Sequence, residues 1–154
     1  MVIGIIGENC SGKSTLANQV REVLGAEIIT GKDYLRMAKS ETEAARRFQE
    51  RLKSAVTRSN IIYVISEPEH LAMLPEGAVR ILVTADLDTI KARFKARMRG
   101  VLPAPVEQML ESKHGRFDDG AYDYRFDGVN GDAAALCQRL KRALYANEES
   151  EGNP

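Results

Sequence analysis

Residues 7–14 read Gly7-Glu8-Asn9-Cys10-Ser11-Gly12-Lys13-Ser14 and match the spacing G-x-x-x-x-G-K-[ST]. The residues on either side supply the context this spacing needs. Val2–Ile6 is a short, β-branched apolar run that reads as a buried strand. After the loop, Leu16, Val20, Val23 and Leu24 recur at helical spacing until Gly25 stops the pattern. A glycine-rich turn between a strand and a helix is a natural anion cradle. Gly7 and Gly12 tolerate backbone angles and close approaches that a side chain would block. The N–H groups from Gly7 through Glu8, Asn9, Cys10 and Ser11 to Gly12 point inward, and the helix start adds its positive dipole end. Lys13 reaches β- and γ-phosphates, the Ser14 hydroxyl suits Mg²⁺, and Thr15 suits an α-phosphate. The expected ligand is a nucleoside triphosphate. Cys10 reads either as a thiol activated by the dipole or, more simply, as a small side chain at a variable position.

Working outward, apolar runs and helical patterns alternate along all 154 residues. Strands are expected at Ala26–Thr30, Ile61–Ile65, Val79–Thr84 and Tyr124–Val129. Helices are expected over Asp33–Arg58, Leu87–Arg99, Pro103–Arg116 and Ala133–Tyr145, with a short helix or turn at Pro68–Leu74. This alternation predicts a three-layer α/β fold, a five-stranded parallel sheet with helices on both faces. Composition agrees with one globular domain: 44% hydrophobic and 29% charged residues. Lys+Arg and Asp+Glu are balanced at 22 each, which leaves no electrostatic footprint for nucleic acid or an anionic membrane. No run of 18 apolar residues spans a bilayer. The two cysteines, Cys10 and Cys137, form neither a disulfide framework nor a zinc set, so a reducing, cytoplasmic setting is expected. His70 and His114 lack ligand spacing and are expected at the surface.

The D-x-x-G and N-K-x-D patterns of GTPases are missing. With its phosphate loop, this short chain resembles the small P-loop kinases that act on nucleosides, nucleotides and small metabolites. The stretch Ile28-Ile29-Thr30-Gly31-Lys32-Asp33-Tyr34-Leu35-Arg36 is similar to the Thr-Gly-Asp…Arg segment of adenylate kinase. That resemblance implies that Arg36 clamps an acceptor phosphate, which its planar guanidinium fork suits. The same stretch resembles the Asp-x-Phe-Tyr corner of uridine kinase-like enzymes, which implies Asp33 as general base for an acceptor hydroxyl. A plain helix start, with Asp33 as its cap, is the structural alternative. Further on, Arg97-Met98-Arg99-Gly100, Glu107 to Glu111 and Tyr122-Asp123-Tyr124 resemble the carboxyl-terminal half of guanylate kinase. This implies lid arginines, with Arg93, Arg97 and Arg99 as candidates, and a base-packing position near Asn130. The Ser-Arg-x-x-Arg acceptor signature and the long acceptor insertion of that family are missing, and so is adenylate kinase's proline-flanked motif after the third strand. Glu67, at the end of that strand, is the candidate for a second carboxylate that holds Mg²⁺ through water.

The resemblance implies a kinase domain over 1–146, an acceptor-binding segment at 31–60, a lid-like region at 93–118 and a flexible tail at 147–154. It implies ATP and Mg²⁺ as cofactors, with a small phosphoryl acceptor, in a monomer or homodimer. A nucleoside monophosphate is the leading acceptor. A nucleoside or other hydroxyl metabolite is the alternative, as is an ATP-binding switch or weak ATPase acting on a protein partner. The assigned roles are phosphate binding for Lys13, acceptor orientation for Asp33 or Arg36, and charge neutralisation by a lid arginine, Arg93 or Arg97.

Overall fold

The computed structural model describes residues 1–152. The chain folds as β1 (Val2–Ile6), α1 (Lys13–Leu24), β2 (Glu27–Thr30), α2 (Glu41–Arg58), β3 (Ile61–Ile65), β4 (Val79–Thr84), α3 (Leu87–Arg97), α4 (Ala104–Lys113), β5 (Tyr124–Asp127) and α5 (Ala133–Glu151). Two short 3₁₀ segments, Asp33–Met37 and Pro68–Met73, follow β2 and β3. All strand pairs are parallel, in the order β2-β3-β1-β4-β5. Every strand therefore ends at the same edge of the sheet. The chain crosses from β1 past β3 to β2, returns through β3, then continues on the other side with β4. This reversal on either side of β1 opens a crevice at its carboxyl end, where residues 7–14 lie.

Alternation along the central strands builds the two cores. Ile3 and Ile5 of β1, Ile62 and Val64 of β3 and Ile81 and Val83 of β4 face Leu16, Val20, Leu136 and Leu140 of α1 and α5. Val2, Ile6, Ile61, Tyr63 and Ile65 face Phe48, Leu52 and Ala55 of α2 together with Met73 and Leu74. Both faces of β1 and β3 are buried, which is why their sequences read as continuous apolar runs. A smaller cluster joins Cys10 of the loop to Ile90 of α3 and Leu110 of α4.

Several boundaries differ from the sequence expectation, each for a local reason. The single helix expected from Asp33 divides because Ser40 caps α2, its side chain accepting from the Glu43 N–H at 3.1 Å, while Ala38 is extended. β5 begins at Tyr124 as expected but ends at Asp127 rather than Val129, because the Asp127 carboxylate accepts from the Val129 and Asn130 N–H groups and turns the chain. Tyr122, just before this strand, and Tyr124 within it pack in opposite layers. The closing helix passes Tyr145 to Glu151, so 147–151 of the expected tail are helical. Asn153 and Pro154 lie outside the described residues. His70 corrects the surface expectation: it is 5% exposed and sits between Tyr34 and Tyr63.

Candidate active site

The loop is shaped by three residues at its turns. Gly12 holds φ 109°, a left-handed value that an L side chain rarely adopts, and it starts α1. A Cβ on Gly7 would stand 2.5 Å from the Val83 carbonyl oxygen and 2.7 Å from Ser11 Oγ, so only glycine fits there. Cys10 also has positive φ, 63°, and its side chain is buried against the α3–α4 cluster. The thiol thus packs as an apolar peg between loop and helices.

Lys13 is buried, and its ammonium donates to the Glu8 carbonyl oxygen at 2.6 Å. Burial is the main cause that pulls its pKa down to about 8, and the charges of Arg97 and Arg116 push the same way. Three cations therefore converge on the cradle. Ser14 and Thr15 are exposed in the first turn of α1, and the Ser14 hydroxyl has no partner among the described residues.

A cleft of about 370 Å³ runs from this loop toward β5. Gly12, Thr15, Gln19, Arg93, Arg97, Gly128, Val129 and Gly131 are on its wall. Such a volume suits a small organic ligand. The 93–97 spacing predicts one helix face, and both arginines do line the cleft. Their situations differ. Arg93 donates to two main-chain carbonyls, Cys10 at 3.0 Å and Gly128 at 2.9 Å. Arg97 is exposed and makes no hydrogen bond or ion pair among the described residues. Arg99 is exposed at φ 60° just past the helix. Asn130 lies in the same turn, but its N–H donates to Asp127 Oδ1 at 3.1 Å, and its neighbours Val129 and Gly131 reach the cleft instead. Gly128 presses on the phosphate loop so closely that a Cβ would overlap the Ser11 carbonyl oxygen.

At the end of β3, Glu67 Oε2 accepts from Arg116 Nη2 at 3.0 Å, and the same nitrogen donates to the Ser66 carbonyl at 2.5 Å. Partial burial pushes the Glu67 pKa up, but the Arg116 hydrogen bond and charge outweigh it and hold the carboxylate below its usual range. Arg116 Nε is buried with no partner. His114, expected as an isolated surface residue, binds the phosphate loop through its Nδ1 and Glu8 Oε1 at 3.0 Å. Lys91 of α3 bridges Glu107 and Glu111 of α4, at 3.2 and 2.6 Å. Asp33 and Arg36 lie at the end of β2, both exposed.

Arg116 and Gly128 were not among the sequence candidates. Arg116 follows α4 in a Gly-Arg-Phe turn with no spacing that ties it to residues 7–14. Gly128 is one glycine after a weak strand, and its role depends on a backbone more than a hundred residues earlier.

The donors present fit Mg²⁺ held jointly with phosphate. Ser14 offers a free hydroxyl, and Glu67 a charged carboxylate at the neighbouring strand end. Among the described residues no cluster of three or more His, Cys, Asp or Glu side chains could hold a metal by itself. No helix among them is long and apolar enough to cross a membrane.

No protein-family model and no curated protein matches the sequence. Solved structures do match. A gluconokinase from Sinorhizobium meliloti 1021 aligns with TM-score 0.60 at 16% identity, over 94% of this chain and 95% of that one. A shikimate kinase from Acinetobacter baumannii, in complex with shikimate, aligns with TM-score 0.61 at 16% identity, over 95% and 93%. A deoxyadenosine kinase from M. mycoides aligns with TM-score 0.55 at 18% identity, over 95% and 100%. With its parallel order β2-β3-β1-β4-β5 and its phosphate loop at the end of β1, the chain has the three-layer α/β fold of the small P-loop kinases.

Proposed function

We propose that this chain is an ATP-dependent phosphotransferase acting on a small acceptor. The observation that carries the reading is the buried Lys13 ammonium in a glycine-shaped amide cradle, with Arg97 and Arg116 close enough to perturb its charge. In phosphoryl transfer the protein acts mainly by positioning and charge stabilisation. The amides of 7–14 and Lys13 would hold the β- and γ-phosphates. Thr15 would contact the α-phosphate, and the base would enter the cleft toward Val129, Asn130 and Gly131. Ser14, with Glu67 through water, would hold Mg²⁺, which supplies charge neutralisation at the phosphates when bound. Arg97 is free to fold over the triphosphate. Arg93 serves by fixing the loop.

The acceptor would sit at the ends of β2 and β3, beside Asp33 and Arg36. The names of the three structural neighbours specify gluconate, shikimate and deoxyadenosine, compounds that offer hydroxyl groups. This weighs toward a hydroxyl acceptor with Asp33 as base. The unpaired Arg36 guanidinium favours the second reading, a nucleoside monophosphate. The test is Mg-ATP turnover with panels of each acceptor class. We expect one class to stimulate ADP release at least tenfold. Acceptor-independent hydrolysis, or binding without turnover, would replace the kinase reading with a nucleotide-dependent switch.

A further inference from the structure

The 3₁₀ segment Asp33–Met37 turns once in three residues, so side chains at i and i+3 eclipse. Tyr34 and Met37 form one such pair, and both pack into the α2-side core. Asp33 and Arg36 form the other pair, and both are exposed. They stand on one face, separated by one turn, about 6 Å of axial rise. Opposite charges so placed could close on each other. Yet among the described residues neither side chain makes a hydrogen bond or an ion pair. Three of the four arginines of the adjoining helix contrast with this: Arg46 and Arg47 are held by Glu43, and Arg51 by Glu27.

The segment is anchored from behind. The Tyr34 ring stacks on Phe48 with centroids 5.2 Å apart and meets His70 edge-on. Arg47 donates to the Met37 carbonyl at 3.0 Å, and the Tyr63 hydroxyl to the Gly31 carbonyl at 2.8 Å. The outer face is thus a supported platform bearing a carboxylate and a guanidinium. Lys32 and Lys39, also exposed, give residues 31–40 a net positive charge. Only β3 separates β2 from β1, so the carboxyl ends of the strands that lead into the platform and the phosphate loop are two strand spacings, about 10 Å, apart.

We infer that the acceptor carries both groups this platform complements: a hydroxyl for Asp33 and an anionic group, carboxylate or phosphate monoester, for Arg36. The substrate class is a small hydroxy acid or a polyol phosphate, phosphorylated on its hydroxyl. This rests on the kinase reading and joins the two roles that sequence resemblance offers as alternatives. In the step, the Asp33 carboxylate takes the hydroxyl proton and the hydroxyl oxygen's electron pair forms the bond to the γ-phosphorus. The bond from that phosphorus to the β,γ-bridging oxygen breaks, and its electron pair leaves on ADP. Arg36 holds the anionic end by a bidentate contact.

The experiment uses the full chain with Mg-ATP and panels built around glucose, gluconate, glycerol 3-phosphate and AMP. It reads ADP release, with ³¹P NMR to separate ester from anhydride products. We expect ester formation with gluconate-type or glycerol 3-phosphate-type acceptors, and the comparison of those two panels identifies the anion. Arg36→Ala should raise KM for that acceptor at least tenfold with kcat within twofold. Asp33→Asn should lower kcat at least a hundredfold with little change in KM. Labelling of Arg36 by phenylglyoxal, read by mass spectrometry, should be slowed by the anionic panels and not by glucose. Neutral polyols used as well as anionic ones, anhydride formed on AMP, or no protection of Arg36 by any anion would overturn the inference and leave the kinase reading standing. No acceptor-stimulated ADP release from any panel would overturn the kinase reading, and this inference with it.

Discussion

The Arg93 guanidinium donates to the Gly128 carbonyl oxygen at 2.9 Å, tying the turn after β5 to the phosphate loop, whose Cys10 carbonyl it also binds. Gly128 cannot carry a side chain because it lies against Ser11. One arginine therefore spans the two backbones that flank the cleft. The same helix presents Arg97 to that cleft without a protein partner.

Removal of Arg93 should loosen both backbones at once. Charge-assisted hydrogen bonds contribute about 1.5–3 kcal/mol each, and part is recovered when water reaches the carbonyls. Arg93→Ala is expected to cost about 1–3 kcal/mol of stability and to raise KM for ATP at least tenfold. Arg97→Ala should leave the unfolding midpoint unchanged and lower kcat at least tenfold. Denaturant unfolding and steady-state kinetics on both variants check the split. An Arg93 variant of normal stability with a kcat defect alone would instead make it the lid arginine.

The charge of Lys13 sets a pH dependence. In the empty protein its pKa is about 8, against 10.5 for a free lysine, chiefly because it is buried. Above pH 8 the ammonium is lost, and binding of a polyanion must restore it. Mg-ATP should bind about tenfold more weakly at pH 9 than at pH 7, one pH unit beyond the pKa being one decade. Calorimetry in buffers of different ionisation enthalpy should show proton uptake on binding at pH 9 and little at pH 7. Lys13→Met should flatten the profile. Between about pH 8 and 10.5 the unfolded chain holds the Lys13 proton and the folded chain does not, so this residue makes stability rise with pH across that window.

Arg116 pairs with Glu67 at the end of β3, where the Glu67 side chain is 37% exposed. An ion pair so placed contributes about 0–1 kcal/mol. Arg116→Ala also removes the hydrogen bond to the Ser66 carbonyl, so it should cost about 1–3 kcal/mol of stability. If its guanidinium also meets the transferring phosphoryl group, kcat should fall at least a hundredfold. Thermal unfolding together with kcat decides the matter: a stability loss with kcat unchanged would leave Arg116 a purely structural tether.

Sequence alone determined the elements whose cause is local. Val2–Ile6 and Ile61–Ile65 were legible as strands because burial on both faces demands unbroken apolar runs. Residues 7–14 were legible as a tight glycine-rich turn between a strand and a helix because Gly7, Gly12 and the helix start are local features of the sequence. The tertiary structure decided what depends on chain segments far apart. It placed Arg116 against Glu67, His114 against Glu8 and Arg93 between Cys10 and Gly128, contacts that span 35 to 106 residues. It also buried His70, which no local pattern marks, because the aromatic rings around it come from α2, β3 and the segment after β2. A backbone turn is encoded by the residues that make it, whereas a side chain's partner is set by which strands the sheet brings side by side.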